Sequence, residues 1–296
     1  VLQLDKRTGI NHYLPKGVRK VSALFRMRRV IGKEKPDYVI SFITKLNASL
    51  GIVGLTMPLR NTIFLASERT TELRNMSSRK WRWICKIAYK GIDGFFTNNF
   101  VTKDRMAMHL DINPTKIKVL RNIIDTNTFA PDHSRKEDLF QYAPGVPFEN
   151  LSILVPGRID AQKNQKVLVD VCKILQKKGI VNIHFFLAGN NSSKYATELE
   201  VEIKQANLDK QFTFLGQIRD MAKLYRAADI VLLPSLAEGF PNALLESMAC
   251  GTIAITTNVS DVEQMIEDGE EVLITRKITA EEIARRVIDA MKMTET

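Results

Sequence analysis

The sequence contains little cysteine and histidine, and it has no long hydrophobic run. Its three cysteines, Cys85, Cys172 and Cys250, are widely separated, and its four histidines lack metal-ligand spacing. These residues suit neither a disulfide framework nor a zinc site, so we expect a protein of a reducing, cytoplasmic compartment. No apolar stretch approaches the roughly 18–20 residues that a membrane-spanning helix needs. The first residues show no secretory pattern.

Positive charge is concentrated in the first half of the chain. The net charge of the 296 residues is +10. Residues 1–150 contain 26 Lys and Arg against 13 Asp and Glu, whereas residues 151–296 contain 17 against 20. This asymmetry indicates a surface that meets an anionic partner, namely a nucleic acid, a membrane surface or a phosphorylated substrate. A basic surface that only maintains solubility is the alternative.

Short apolar runs alternate with amphipathic segments in both halves, which is typical of βαβ units and parallel sheets. In the first half the pattern predicts strands at Tyr38–Phe42, Thr62–Ala66, Phe95–Thr97 and Ile117–Leu120. The first two are predicted to be buried. Helices are predicted near 16–33, 46–58, 76–91 and 101–110. A following segment with Pro131, Pro144, Gly145 and Pro147 is the predicted linker.

The second half is more regular and predicts a doubly wound, Rossmann-like domain. The predicted strands are Ser152–Val155, Ile183–Leu187, Phe212–Phe214, Ile230–Leu233, Ile253–Thr256 and Val272–Ile274. Helices are predicted near 163–178, 195–206, 219–227, 241–249, 261–267 and 279–292. We therefore predict an α/β protein with two domains, residues 1–145 and 150–296. Such sheets bind ligands beyond the C-terminal ends of their strands, which directs attention to the loops there.

The loop that follows the first strand of the second half carries two cations. It reads Pro-Gly-Arg-Ile-Asp-Ala-Gln-Lys-Asn over residues 156–164. Gly157 at the strand exit lets a ligand approach the backbone, and Arg158 and Lys163 can neutralise a diphosphate through charge-assisted hydrogen bonds. Taken alone, two such cations are more typical of a solvated surface loop than of a ligand site.

A second loop follows a buried strand and opens a helix. Pro241 suits the first helical turn, whose backbone N–H groups and dipole favour an anion such as a diphosphate. Glu238 precedes the helix and Glu246 lies on its second turn. Two carboxylates would thus flank the anion and accept hydrogen bonds from sugar and ribose hydroxyls. Exposed surface charges are the alternative, but the apolar strand and the Gly-Phe-Pro turn favour the binding role.

The segment at 238–246, Glu-Gly-Phe-Pro-Asn-Ala-Leu-Leu-Glu followed by Ser-Met-Ala-Cys-Gly, resembles the signature of glycosyltransferase family 4. The loop at 157–164 is similar to that family's donor-phosphate loop. Ile40–Phe42 and Ser67–Arg69 resemble the branch that builds bacterial surface polysaccharides. The resemblance extends from about residue 36 to the end. It implies a retaining enzyme of the GT-B fold, in which two Rossmann-like domains with parallel sheets face each other across a cleft.

The resemblance also implies roles for domains and residues. The N-terminal domain would bind the acceptor and the C-terminal domain the nucleotide-sugar donor. Glu238 would face the transferred sugar as the catalytic residue, Glu246 would hold the ribose, and Gln217 and Ile218 would border the base. The implied donor-binding residues are Gly157, Arg158, Lys163, Gln217, Ile218, Gly239, Phe240, Asn242, Leu244 and Glu246.

The family needs no metal ion and no cofactor besides its nucleotide-sugar substrate. The sequence contains no Asp-x-Asp, so Arg158 and Lys163 would take the part that a magnesium ion plays elsewhere.

The chain departs from the family pattern in three places. The family's first strand with its Gly-rich loop and its final helix are not matched, so we expect a fragment that lacks both. Arg69 stands near the place of a histidine in many relatives, and no catalytic base is assigned there. Val259 and Ser260 replace a glycine pair, so the family's shape for that loop is not carried over.

The favoured function is transfer of a sugar, from a UDP-sugar rather than a GDP-sugar, to a hydroxyl of a glycan or a polyprenyl-diphosphate-linked acceptor in polysaccharide biosynthesis. A non-catalytic GT-B partner subunit and a nucleotide-sugar epimerase are alternatives. A nucleic-acid-binding protein is least favoured, because no recognition helix or RNA-binding motif accompanies the basic half.

The basic half further predicts docking on an anionic membrane surface. The segment Arg74–Lys90 places six basic residues around Trp81, Trp83 and Tyr89, and the helix at Val18–Ile31 contains five more. Basic residues beside tryptophans suit the lipid headgroup region. We expect a protein that is peripheral on the inner face of the cell membrane. The alternative is that the apolar residues of the segment Arg74–Lys90 pack against the sheet and leave the charges in water.

Overall fold

The computed structural model describes residues 16–59, 61–69, 78–132, 136–269 and 272–294. The chain divides into two compact units, Val1–Arg121 and Asn122–Thr296, which we call the N-terminal unit and the C-terminal unit. No helix in the described ranges has both the length and the apolar character needed to cross a membrane.

In the N-terminal unit the described strands form one parallel sheet in the order β1-β2-β3-β4. The strands are β1 (Tyr38–Phe42), β2 (Ile63–Glu68), β3 (Gly94–Thr97) and β4 (Ile117–Val119). The helices are α1 (Lys16–Glu34), α2 (Thr44–Leu55), α3 (Arg79–Ala88) and α4 (Phe100–Leu110). The helices and strands predicted for this half are all present, with ends that differ by a few residues. Ser78 and Asn99 cap α3 and α4 by accepting hydrogen bonds from first-turn N–H groups.

The prediction that β1 is buried is wrong. Tyr38, Ile40 and Phe42 are 60%, 52% and 49% exposed, and within the described ranges β1 pairs only with β2. β2 is buried at Phe64 and Ala66, as predicted. A short apolar run does not distinguish an exposed edge strand from a buried central strand, because β-branched and aromatic residues are common in both.

Two glycines let α2 approach the segment that contains the end of α3. A Cβ atom on Gly51 would overlap the backbone carbonyl of Ala88, and one on Gly54 would overlap that of Gly91. This close contact helps to enclose the core of the N-terminal unit, which includes the buried Cys85.

The C-terminal unit contains a parallel sheet in the order β10-β9-β8-β5-β6-β7. Its strands are β5 (Leu151–Pro156), β6 (Ile183–Ala188), β7 (Phe212–Gly216), β8 (Ile230–Leu233), β9 (Ile253–Thr257) and β10 (Val272–Thr275). Its described helices are α5 (Glu137–Phe140), α6 (Val167–Lys177), α7 (Lys194–Gln205), α8 (Met221–Ala227), α9 (Asn242–Ala249), α10 (Val262–Met265) and α11 (Ala280–Thr294). The strand order reverses between β5 and β8, so the loops after these strands flank the crevice where such sheets bind ligands.

Apolar side chains cover both faces of this sheet. Along β6, Phe185 and Leu187 belong to one core cluster, whereas Phe186 and Ala188 belong to the other. This alternation follows from the two-residue period of a strand. The two clusters contain one cysteine each, Cys172 and Cys250.

The division between the units falls earlier than the linker that the sequence predicts. Residues after Arg121 pack with the second sheet: Leu139 and Phe140, on the unpredicted helix α5, are buried in one of its cores. In addition, Lys136 Nζ lies 2.9 Å from the carboxylate of Asp229. Prolines and glycines indicated a linker here, but the apolar residues between them fasten the segment to the C-terminal unit.

Candidate active site

A pocket of about 490 Å³ lies at the strand-order reversal of the C-terminal unit. It is lined by residues that follow β5, β6, β7 and β8 and by the start of α9. The C-terminal ends of these parallel strands meet at one edge of the sheet, which is why residues distant in sequence come together.

Two glycines line this pocket, so that backbone rather than side chains forms the pocket wall there. Gly157 has a φ of 125°, a conformation that side-chain-bearing residues rarely adopt. A Cβ on Gly189, after β6, would overlap the carbonyl of Gly157. The neighbouring strand ends are therefore packed too closely for any side chain at Gly189, and a ligand there meets backbone groups.

The two predicted cations occupy different environments in the pocket. The Arg158 side chain is 70% exposed, and its guanidinium lies 3.3 Å from the Asp160 carboxylate. The Lys163 side chain is only 19% exposed, and its Nζ lies 2.6 Å from Glu238 Oε1. The interpretation of both cations as solvated surface side chains thus fails for Lys163.

The loop that carries Glu238 is held in place from several directions. Ser235 Oγ donates to Glu238 Oε1 at 2.6 Å, so one carboxylate oxygen accepts from both a hydroxyl and Lys163. Gln162 Nε2 donates to the Ala237 carbonyl at 2.8 Å, and Leu236 N–H donates to the Gln162 carbonyl at 2.8 Å. These bonds join the loop after β8 to the loop after β5, and Glu238 is buried rather than an exposed surface charge.

Helix α9 begins at Asn242, directly after Pro241, and no side chain caps it. Glu246 lies on its second turn and lines the pocket. Tyr225 on α8 donates its hydroxyl to Glu246 Oε2 at 2.9 Å. Asn122 Nδ2 donates to Asn242 Oδ1 at 2.8 Å, which ties the start of the unit to the same helix.

Most of the predicted donor-binding residues lie around this one pocket. The lining includes Gly157, Arg158, Lys163, Gln217, Ile218, Glu238, Phe240, Asn242 and Glu246. Leu244 does not line it: the side chain is fully buried in the core of the unit, because it lies on the face of α9 opposite Asn242 and Glu246. Gly239 is not among the lining residues either, and its carbonyl accepts a hydrogen bond from Ser260 Oγ at 3.1 Å.

Sequence reasoning did not single out several residues that shape the site. Gly189, Asn190, Met221 and Tyr225 line the pocket, and Ser235 contacts Glu238. The position of Gly189 after a predicted strand was a usable signal. Nothing local in the sequence marks Tyr225, whose contact with Glu246 depends on the packing of α8 beside α9.

Two positions that depart from the family pattern, Ser260 and Arg69, lie within the described residues. Ser260 has a φ of 57°, so this serine adopts the left-handed conformation that glycine favours. Arg69 lies in the N-terminal unit, with its guanidinium 5.6 Å from the centre of the Phe42 ring. In the described part of the chain, no group of three or more His, Cys, Asp or Glu side chains is arranged to hold a metal ion.

Comparison with protein-family profiles gives two matches that together cover most of the chain. The profile described as "Glycosyl transferases group 1" matches residues 143–296. The profile described as "Glycosyltransferase Family 4" matches residues 5–128.

Among curated proteins, the chain resembles two bacterial glycosyltransferases. It is 25% identical over 266 residues to the capsular polysaccharide biosynthesis glycosyltransferase CapH of Staphylococcus aureus, covering 87% of this chain and 70% of CapH. It is 25% identical over 252 residues to the UDP-Gal:alpha-D-GlcNAc-diphosphoundecaprenol alpha-1,3-galactosyltransferase of Escherichia coli, covering 82% of this chain and 63% of that protein. The chain thus spans less than two thirds of the Escherichia coli relative.

Solved structures share the fold. Anabaena Alr3699/HepE in complex with UDP matches with a TM-score of 0.79 at 18% identity, covering 92% of this chain and 73% of that one. A glycosyltransferase from Rickettsia africae ESF-5 matches with a TM-score of 0.80 at 18% identity, covering 100% and 75%. The prediction of two parallel-sheet α/β domains of the GT-B type is confirmed.

Proposed function

The chain belongs to the glycosyl transferases group 1 family, and on that premise we propose that it transfers a sugar from a nucleotide sugar to a hydroxyl of a glycan or lipid-linked acceptor in polysaccharide biosynthesis. The observation that carries the proposal is the pocket of the C-terminal unit, where two carboxylates and two cations converge at the strand-order reversal. The similarity to capsular and undecaprenol-linked transferases supports the choice of acceptor class.

The donor in this proposal is a UDP-sugar. Its diphosphate would lie beside Arg158, Lys163 and the uncapped start of α9, where charge-assisted bonds and the helix dipole favour an anion. An ammonium group has three N–H donors, so Lys163 can bond to Glu238 and to a phosphate oxygen together. Glu246 would accept from the ribose, with Gln217 and Ile218 beside the base. The complex of HepE with UDP supports the nucleotide.

In the proposed reaction Glu238 faces the transferred sugar, assisted by backbone groups of Phe240 and Asn242, which line the pocket as Gly239 does not. Its hydrogen bonds from Ser235 and Lys163 hold the carboxylate in one orientation before the donor arrives. Transfer in this proposal proceeds with retention, as the family resemblance implies. It needs no metal ion, because the cationic side chains stabilise the charge that develops on the leaving diphosphate.

The N-terminal unit would bring the enzyme to a lipid-linked acceptor. On α3, Trp81 packs against the core, whereas Trp83 is 65% exposed and Lys80 and Lys86 are exposed beside it. On α1, Phe25 is 69% exposed and is followed by exposed arginines. Of the predicted basic residues, Arg74 lies outside the described residues. Such a surface suits peripheral docking on anionic lipid at the inner face of the cell membrane.

The test is an assay of purified protein with a panel of UDP- and GDP-sugars, with undecaprenyl-diphosphate-linked saccharides as acceptors and with EDTA present. We expect transfer from a UDP-sugar, and an NMR spectrum of the product that shows the anomeric configuration of the donor. Inversion would contradict retention, and dependence on added magnesium would contradict the metal-free mechanism. Epimerisation without transfer, or nucleotide binding without turnover, would replace the proposal by the epimerase or the partner-subunit alternative.

A further inference from the structure

Tyr225 lines the pocket, and its hydroxyl is the one polar group of its side chain. Its side chain is 1% exposed, and its hydroxyl donates to Glu246 Oε2 at 2.9 Å. Both residues line the pocket, Tyr225 from α8 and Glu246 from α9.

The surroundings of Tyr225 hold its ring firmly. The ring of Phe129 packs against it at a tilt, with ring centres 6.1 Å apart. The Tyr225 backbone carbonyl accepts a hydrogen bond from Thr252 Oγ1 at 2.7 Å. Burial, together with the Glu246 charge, raises the pKa of Tyr225, so its hydroxyl keeps its proton and serves as a donor. The hydroxyl of Tyr225 therefore has a fixed position relative to α9.

A carboxylate held through one oxygen has lost most of its rotational freedom. Glutamate has three rotatable side-chain bonds, and ordering such a side chain on ligand binding costs affinity. Because Oε2 of Glu246 already accepts from Tyr225, the other oxygen, Oε1, can accept from a ligand hydroxyl with less loss of side-chain entropy.

We infer that Tyr225 is a positioning residue for nucleotide binding, whose hydroxyl fixes the Glu246 carboxylate to accept a hydrogen bond from the ribose. The inference rests on the proposed function, because it takes the ligand to be a ribose-containing nucleotide. It adds to that function the claim that affinity for the ribose hydroxyls depends on a residue that contacts Glu246 and not on Glu246 alone.

The test compares two ligands that differ only in the ribose hydroxyls. UDP and 2′,3′-dideoxy-UDP are titrated by calorimetry into the full chain and into Tyr225→Phe, Glu246→Gln and the double variant. We expect Tyr225→Phe to weaken UDP binding about three- to tenfold, the cost of ordering one side chain, and to leave dideoxy-UDP binding unchanged. The double variant should bind UDP no more weakly than Glu246→Gln alone, because both substitutions remove the same contact.

Tyr195→Phe is the matched control. Its hydroxyl accepts a hydrogen bond from the Lys166 backbone N–H at 2.9 Å, away from the pocket lining, so this variant should leave the affinity for both ligands unchanged. If Tyr225→Phe does not fold, Tyr225→Met replaces it: this side chain also lacks the hydroxyl that donates to Glu246, and the same selective loss for UDP is expected.

The outcomes separate this inference from the proposed function. An equal loss for both ligands, or losses that add up in the double variant, would show that Tyr225 has only a packing role. No effect of Tyr225→Phe beside a clear effect of Glu246→Gln would overturn the inference and leave the function standing. Failure of the unsubstituted chain to bind UDP, GDP or ADP would overturn both.

Discussion

The two units use the same parallel α/β architecture but differ in the burial of their sheets and in charge. In the C-terminal unit, strands β6, β8 and β10 are buried at every described position, whereas β1 of the N-terminal unit is exposed along alternate residues. Residues 1–121 contain 24 Lys and Arg against 8 Asp and Glu, and residues 122–296 contain 19 against 25.

In the proposed function, this difference corresponds to two tasks within one chain. The pocket of the C-terminal unit contains two carboxylates, and each accepts a hydrogen bond from a hydroxyl. The excess positive charge lies on the N-terminal unit, where α3 exposes a tryptophan. We therefore expect substitutions in the C-terminal unit to alter nucleotide binding and turnover, and those on the surface of the N-terminal unit to alter association with lipid.

The largest expected effect is on turnover in the C-terminal unit. Glu238→Gln should lower kcat by roughly 10²–10³-fold, the loss typical when an electrostatic group at a reacting centre is removed. It should change the Kd of UDP much less, because the partner of Glu238 is the sugar. Steady-state kinetics with calorimetry measures both. The exposed Glu267→Gln in the same unit is the control, and normal turnover by Glu238→Gln would refute the assignment.

The next effect concerns acid stability. His184 on β6 is 1% exposed, and burial lowers its pKa to about 4 from 6.5. The folded state therefore holds the histidine neutral while the unfolded chain protonates, so stability that is complete above pH 6.5 falls as the pH drops towards 4. The loss is roughly 3 kcal/mol.

The experiment follows urea unfolding at several pH values. Both tryptophans, Trp81 and Trp83, lie in the N-terminal unit, so fluorescence reports that unit, and hydrogen exchange reports the C-terminal unit. His184→Gln should flatten the acid dependence of the C-terminal unit, whereas His109→Gln, an exposed histidine of the N-terminal unit, should not. An unchanged pH dependence in His184→Gln would contradict this account.

The next prediction concerns the association of the N-terminal unit with a membrane surface. Replacing Lys80 and Lys86 together by Glu should weaken binding to anionic vesicles roughly thirtyfold, since each basic residue near such a surface contributes about 1 kcal/mol. Co-sedimentation measures it, and added salt should weaken binding further. The exposed pair Lys177 and Lys178 of the C-terminal unit, changed to Glu, is the charge-matched control. Equal binding to neutral vesicles would argue against electrostatic docking.

The smallest expected effect is on the phosphate contact. Arg158→Ala should weaken UDP binding about tenfold by removing one charge-assisted hydrogen bond. The ratio of the Kd of this variant to that of the unsubstituted chain should be the same when EDTA is present. Arg158 suits this test better than Lys163, whose removal would leave the buried Glu238 without its cation. Arg276→Ala is the exposed control, and an unchanged Kd in Arg158→Ala would remove this residue from the phosphate site.

Elements and family were largely predictable from the sequence, because buried parallel strands require continuous apolar runs and the pocket loops carry a family signature. The errors arose where tertiary packing decides the outcome. β1 has the composition of a central strand yet is exposed, and α5 packs although prolines surround it. The burial of Leu244 was predictable, since helical spacing sets it on the face of α9 opposite Glu246. The contact between Tyr225 and Glu246 was not predictable, because the two residues lie 21 positions apart in the chain.

The placement of the cysteines supplies three built-in reporters of local opening. Each core cluster contains one buried thiol: Cys85 in the N-terminal unit, and Cys172 and Cys250 on opposite faces of the six-stranded sheet. Burial raises the pKa of Cys85 and of Cys172 to about 11 and also raises that of Cys250, so an alkylating reagent finds little thiolate while the cores stay closed. Alkylation followed by peptide mass spectrometry would then time the exposure of each core separately in the unmodified sequence, without any engineered label.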